Sequence, residues 1–321
     1  MPPPAPSILL HGQETLRGVT LAPPSAVPLK SGAAQGTHRI RRRGNRHDFS
    51  GYRPYVPGDP VKDVDWRVYG RTDRLYLQLF EDTTDLTLHL ALDASASMGW
   101  RGWPEKKRSR GDVPTPGTAW RSFTKLRWAS AVACLLASVA LRQRDRVELI
   151  AVQRAGGHEL RRTSPLRGPA ALARVVQGAE ATRPLGEADL AAGLRGVGAG
   201  LRRRAVVMLF TDALAADRAS DEALAAAVRG LSARGHAVVL LHTLHPHEWD
   251  PPEGVGRARV RDAESGRSVR LDAGWVEAYR ERVRAEAEGL AGRVRAAGGV
   301  YRRLVTGVLP WEAARAVCDE A

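Results

Sequence analysis

The chain has 321 residues, with 49 Lys and Arg against 35 Asp and Glu for a formal net charge of +14; 43% of its residues are hydrophobic and 26% charged. That composition excludes collagenous, disulfide-framework and wholly disordered chains, and the length suits one large or two modest domains at roughly 100–200 residues each. Two cysteines, Cys134 and Cys318, make neither a disulfide scaffold nor a thiolate metal cage, so a reducing cytoplasm is the expected compartment.

Residues 1–36 are rich in Pro, Gly, Ala and Ser and read as a loosely ordered arm, with one helix-compatible stretch near Gln13 to Arg17. They lack a basic start followed by a long apolar core, and no run of about 18 apolar residues follows anywhere, so neither a signal segment nor a membrane span is expected. Residues 37–80 form a β-containing segment in which Arg is mixed with Tyr and Trp. The turn Pro57-Gly58-Asp59 lies within it, and Leu75, Leu77 and Leu79 alternate with Tyr76, Gln78 and Phe80 as in a half-buried strand.

From residue 81 to 321 the rhythm is strand then helix, repeated, which argues for an α/β domain with helices on both faces of a mostly parallel sheet. Strands are expected at Leu86–Leu92, Arg146–Val152, Ala205–Phe210, Ala237–Thr243 and Val300–Leu304. Helices are expected at Lys125–Leu141, Pro169–Gln177, Glu187–Leu201, Asp221–Ala233 and Gly274–Ala297. Lys125–Leu141 has almost no polar face, which predicts burial. Residues 256–271 read as a β-hairpin with its turn at Ala263-Glu264-Ser265-Gly266.

The apolar strand at Leu86–Leu92 runs into Asp93-Ala94-Ser95-Ala96-Ser97, and the strand at Ala205–Phe210 into Thr211-Asp212. Ligands of open α/β sheets bind beyond the carboxyl ends of the strands, and acids with hydroxyls gathered there suit a hard divalent cation. This D-x-S-x-S run followed by a T-D loop resembles the metal-ion-dependent adhesion site of the von Willebrand factor A fold. Residues 41–98, from Arg41-Arg42-Arg43-Gly44 through Asp93-Ala94-Ser95-Ala96-Ser97-Met98, resemble the signature block of the domain of unknown function 58 family, and the resemblance continues in order to about residue 320.

The resemblance implies a von Willebrand factor A-like, doubly wound domain that is not itself an enzyme. Such domains often work chaperone-like with a MoxR-type AAA+ ATPase in assembling, maturing or metal-loading a client protein. It also implies Asp93, Ser95, Ser97 and Asp212 as ligands of Mg2+ or Mn2+. Arg53, Tyr55, Gly58, Asp59, Asp65, Trp66 and Arg71 match the upstream block. One position departs: where a second loop normally offers a threonine, the chain reads Gly186-Glu187-Ala188-Asp189-Leu190, and Ala188 has no side-chain oxygen. Glu187, Thr182 or water would have to replace it, and the alternative is that Asp93 and Asp212 form a hydrogen-bonded polar crest without metal.

The long loop after the first metal motif carries Trp100, Trp103 and Trp120 among basic residues that include Lys106, Lys107 and Arg108. A loop of that length is functional or mobile, and these six residues are the expected partner-binding set, facing an acidic surface on a protein. The histidines His242, His245 and His247 offer imidazoles for a transition metal or serve as ordinary turn residues. Ser122-Phe123-Thr124-Lys125 matches S-x-x-K without the companion motifs of the penicillin-binding enzymes, and a helix cap explains it at less cost. Two further function classes remain open: a basic nucleic-acid-associated protein using Arg39–Arg46 and the Trp/Arg loop, and a divalent-metal-dependent hydrolase at Asp93 and Asp212.

Overall fold

The computed structural model describes residues 12–21, 39–41, 48–57, 59, 61, 64–83, 86–103, 123–155, 158–201, 204–213, 218–252, 257–272 and 274–319. The chain divides into two compact units, one made of Pro28–Asp85 and the other of Met1–Val27 together with Leu86–Ala321.

In the smaller unit, β1 (Arg39–Arg41), β2 (Asp48–Pro54), α1 (Trp66–Thr72) and β3 (Tyr76–Thr83) follow one another, and the strands form an antiparallel sheet in the order β1-β3-β2. The Arg53 guanidinium pairs with Asp59 at 2.6 Å, and the same carboxylate oxygen accepts the Val56 amide at 3.1 Å, which closes the expected turn. Asp65 caps α1: one oxygen accepts the amides of Arg67 and Val68, and the other accepts the Tyr52 hydroxyl at 3.0 Å. This satisfies amide donors that a helix start leaves unpaired. Leu77 is buried as the alternation requires, whereas Leu75 precedes the strand and is exposed.

The larger unit runs β4 (Thr87–Asp93), a 3-10 turn at Ala96–Gly99, α2 (Lys125–Arg142), β5 (Arg146–Ala155), β6 (His158–Arg162), α3 (Pro169–Ala181) and α4 (Leu190–Ala199). It continues with β7 (Ala205–Thr211), α5 (Arg218–Ala233), β8 (Ala237–Leu244), α6 (Pro246–Trp249), β9 (Ala258–Arg261), β10 (Ser268–Leu271), α7 (Trp275–Ala296), β11 (Val300–Val305) and α8 (Pro310–Asp319). Six strands form one sheet in the order β11-β8-β7-β4-β5-β6, parallel throughout except for the β5–β6 pair. This is the doubly wound α/β architecture expected from the sequence.

Alternation along the central strands sorts side chains onto two faces. Leu88, Leu90 and Leu92 of β4 and Val206, Met208 and Phe210 of β7 pack in one core with α2 and α8. Ala91, Val207 and Leu209 pack in the other with α4, α5 and α7. Among the described residues no helix is long and apolar enough to cross a membrane.

Three features differ from the sequence expectations. β6 reads His-Glu-Leu-Arg-Arg and has no apolar pattern; it forms because it pairs antiparallel at the sheet edge, where Arg162 meets Glu148 at 2.8 Å. Two short helices, α6 and α8, each open on a proline, which suits a first helical turn. Residues 12–21, within the expected loose arm, instead join the first core. Leu16 and Leu21 are fully buried beside α2, the Leu21 amide donates to Gln143 Oε1 at 2.9 Å, and Arg142 donates to the Leu16 carbonyl at 2.7 Å. A helix without a polar face needs cover on its outer side, and each buried leucine contributes about 1.5–3 kcal/mol.

Candidate functional site

Parallel pairing of β4 with β7 brings the strand ends Asp93 and Thr211-Asp212 together. Asp93 is buried, and its two oxygens are both used: Oδ1 accepts the Ser95 amide at 2.9 Å and Oδ2 accepts the Thr211 hydroxyl at 2.7 Å. The Ser95 and Ser97 hydroxyls are hydrogen-bonded to each other at 2.9 Å. Burial, reinforced by the nearby charge of Asp212, pushes the pKa of Asp93 up to about 7 in spite of those hydrogen bonds. The three first-loop residues therefore converge as the sequence predicted.

Asp212 has a partner that sequence reasoning missed. Lys125, the first residue of α2, has 0% of its surface exposed, and its ammonium lies 2.7 Å from Asp212 Oδ2 and also forms an ion pair with Glu248. Thr124 caps the helix start by accepting the Arg127 amide, so Lys125 enters the fold at a fixed point. Burial opposes its charge, but the carboxylates of Asp212 and Glu248 outweigh burial and raise its pKa. Glu248, itself raised by burial, uses its other oxygen to accept the His245 amide at 2.8 Å. The signal in the sequence was a lysine opening an otherwise apolar helix; its distant partners were not legible.

The histidines of this region build the turn. Burial lowers His242 to about 4, so it is neutral; its Nε2 donates to the Asp212 carbonyl at 2.9 Å and its Nδ1 accepts from the Tyr301 hydroxyl at 2.6 Å. His245 caps α6 by accepting the His247 amide, and its ring packs edge-on against Trp100. His247 Nδ1 accepts the Trp103 amide at 3.0 Å. Gly102, at φ +89°, passes so close that a Cβ there would lie 2.3 Å from the His245 ring. Among the described residues, no group of three or more His, Cys, Asp or Glu side chains is arranged to hold a metal. Trp100 and Trp103 are thus half-buried at the loop base, while Lys106, Lys107, Arg108 and Trp120 lie outside the described residues.

The second loop is tied to the first by its backbone: Ala96 donates to the Gly186 carbonyl at 2.8 Å and Leu185 to the Ala94 carbonyl at 2.9 Å. Ala188 offers no oxygen there, and the Thr182 hydroxyl is committed to the Gly178 carbonyl at 2.9 Å. Glu264, in the turn between β9 and β10, is half-buried. Burial raises the pKa of Glu264, the hydrogen bond from Ser97 opposes that shift, and the charge of Asp212 adds to it. In the sequence Glu264 was legible only as a turn residue.

The donor chemistry at the end of β4, one carboxylate and two hydroxyls, fits a hard divalent cation such as Mg2+ or Mn2+. The second loop adds no side-chain oxygen at Ala188, and the third-loop acid is already neutralised by Lys125. A six-stranded sheet with D-x-S-x-S ending β4 and T-D ending β7 is von Willebrand factor A-like.

The family model described as "Protein of unknown function DUF58" matches residues 51–113 and 115–291. No curated protein matches the chain in sequence. Among solved structures, the chain is similar to the conserved hypothetical protein BatB from Bacteroides thetaiotaomicron, at 16% identity and a TM-score of 0.46 over 73% of this chain and 96% of that one. It is also similar to a von Willebrand factor type A protein from Catenulispora acidiphila, at 13% identity and 0.39 over 75% and 43%. A third is the manganese-loaded TRAP protein of Plasmodium vivax, at 12% identity and 0.33 over 73% and 71%.

Proposed function

The chain belongs to the DUF58 family, and from that premise we propose that it is a non-enzymatic adaptor whose sheet crest engages a protein partner with the help of a divalent cation. The partner is a MoxR-type AAA+ ATPase, and the pair acts on a client protein in its assembly, maturation or metal loading. The observation that carries this reading is the convergence of Asp93, Ser95 and Ser97 at the end of β4, where the two hydroxyls bond to each other and Asp93 accepts from Ser95 and Thr211. Mg2+ or Mn2+ bound there would supply a Lewis-acidic position for a partner's carboxylate.

Charge supports the same reading. Residues 101–127 contain eight Lys and Arg against two acids, Glu105 and Asp112. Lys125 is buried in its ion pairs and leaves that count, yet the excess still complements an acidic protein surface. The adaptor acts in the cytoplasm, where the buried free thiols Cys134 and Cys318, both pushed up to about 12 mainly by burial, stay protonated and unreactive.

The test is capture of a purified MoxR-type ATPase by wild type and Asp93→Ala, each with Mg2+ and with chelator. Retention by wild type in Mg2+ and loss in the variant is expected; equal retention by both would overturn the crest as the contact. Calorimetric titration of both proteins with Mg2+ and Mn2+ tests the cation separately, and identical heats would remove it from the proposal.

A further inference from the structure

We infer that the β9–β10 hairpin is a docking arm that takes an extended segment of a protein partner as a third strand, and that the segment it fits alternates acidic with apolar side chains. The arm uses none of Asp93, Ser95 and Ser97, so it stands apart from the crest proposal.

The register of the hairpin sorts its side chains onto two unlike faces. Val260 stands opposite Val269, Arg259 opposite Arg270 and Arg261 opposite Ser268. Cross-strand partners share a face and successive residues alternate, so one face carries the two valines and the other the three arginines. Both faces are in solvent: Val260 is 37% and Val269 59% exposed, and the three arginines are exposed as well. Like charges directly opposite each other weaken a strand pair, and among the described residues no ion pair joins Arg259 or Arg270 to an acid. The arm therefore keeps a cationic face and an apolar face that its own fold does not use.

Edges, alternation and charge together define the occupant. A two-stranded sheet is marginal by itself, and among the described residues each strand of this one has an unpaired edge. Such an edge accepts a further strand through backbone hydrogen bonds, with specificity supplied by alternate side chains. A strand added there sets every second side chain on the arginine face and the others on the valine face. Residues 257–271 hold five arginines against Asp262 and Glu264, and Asp262 is committed to the hairpin's own turn, where it accepts the Glu264 amide at 3.0 Å. Acidic side chains on the incoming strand complement that excess, and apolar ones cover Val260 and Val269. A nucleic acid would meet the arginines through its phosphates and leave both valines uncovered, which favours a protein.

The experiment is fluorescence anisotropy of a short labelled peptide of alternating Glu and Val, titrated with the full chain. A peptide of the same composition with its Glu and Val in two blocks and a labelled DNA duplex are titrated in parallel. The alternating peptide is expected to bind at least about fivefold more tightly than the block peptide, and its addition to slow amide exchange in β9 or β10. Arg259→Gln combined with Arg270→Gln is expected to weaken it by about tenfold or more. The thermal midpoint of that double variant should not fall, because the change removes a like-charge pair from an exposed face. Absence of binding by wild type, wild-type affinity in the folded double variant, equal binding of the two peptides, or unchanged exchange in both strands would overturn the proposal. Tighter binding of the DNA, lost in the double variant, would overturn it in favour of a nucleic acid. Capture of the ATPase by wild type and Asp93→Ala is read separately, so failure of the arm and failure of the crest are distinguishable.

Discussion

Asp65 in the smaller unit and Asp93 in the larger are both buried acids, and they are satisfied in opposite ways. Asp65 spends its oxygens within its own neighbourhood, on the amides of Arg67 and Val68 and the hydroxyl of Tyr52, and so fixes where a helix starts. Asp93 reaches Thr211 on the neighbouring strand β7, 118 residues away in sequence, beside an acid whose counter-charge is the first residue of α2. Arg53 and Asp59 repeat the local pattern in the smaller unit, while Lys125, Asp212 and Glu248 repeat the long-range one in the larger. The signature block that makes the family resemblance specific is thus partly a set of local braces, whereas the crest depends on the whole α/β fold being in place.

The contrast can be broken at several points, with falling effect. Lys125→Met leaves two buried carboxylates without their cation and is expected to cost about 3–5 kcal/mol in denaturant unfolding of the larger unit. Adding Glu248→Gln should recover part of that loss; no destabilisation by the single change would show that the triad is not a unit.

The next effect is one of pH. The folded pKa of Asp93, about 7, lies above its ordinary unfolded value, so the folded state holds a proton that the unfolded state has released. Metal-free protein should therefore lose stability as pH rises from about 4 to about 7. Asp93→Asn should flatten that slope in chelator, and an unchanged slope would show that another group is responsible.

Asp65→Ala removes a helix cap and should cost about 1 kcal/mol, read as faster amide exchange in α1 with the crest unaffected. Smallest is Arg53→Ala: its guanidinium is 38% exposed, so the loss should stay within about 1 kcal/mol. A larger one in the unfolding midpoint would mean that the turn at Asp59 depends on the pair more than geometry indicates.

What was legible in the sequence follows the same division. Apolar runs announced the central strands, and the strand-then-helix rhythm implied the helix cover on both faces that the two cores show. Asp93, Ser95, Ser97 and Asp212 were placed together because strand ends of a parallel sheet share one edge, a rule that needs no contact information. Lys125 was visible as the lysine of S-x-x-K that opens a largely apolar helix, but its partners stand 87 and 123 residues away and were not legible. The polar edge strand β6 was invisible to periodicity for a similar reason: its neighbour, and not its own side chains, makes it a strand.

The short N-terminal stretch has a practical corollary. Gly12 passes so near α2 that a Cβ there would lie 2.6 Å from Leu135 Cδ2, and Leu16 and Leu21 sit with no exposed surface worth measuring. A boundary drawn from composition, at the end of the Pro- and Ala-rich residues, would cut away part of the core. A chain started after Leu21 would leave α2 with a greasy trough along one side, and its first symptom should be clumping rather than any change at the crest.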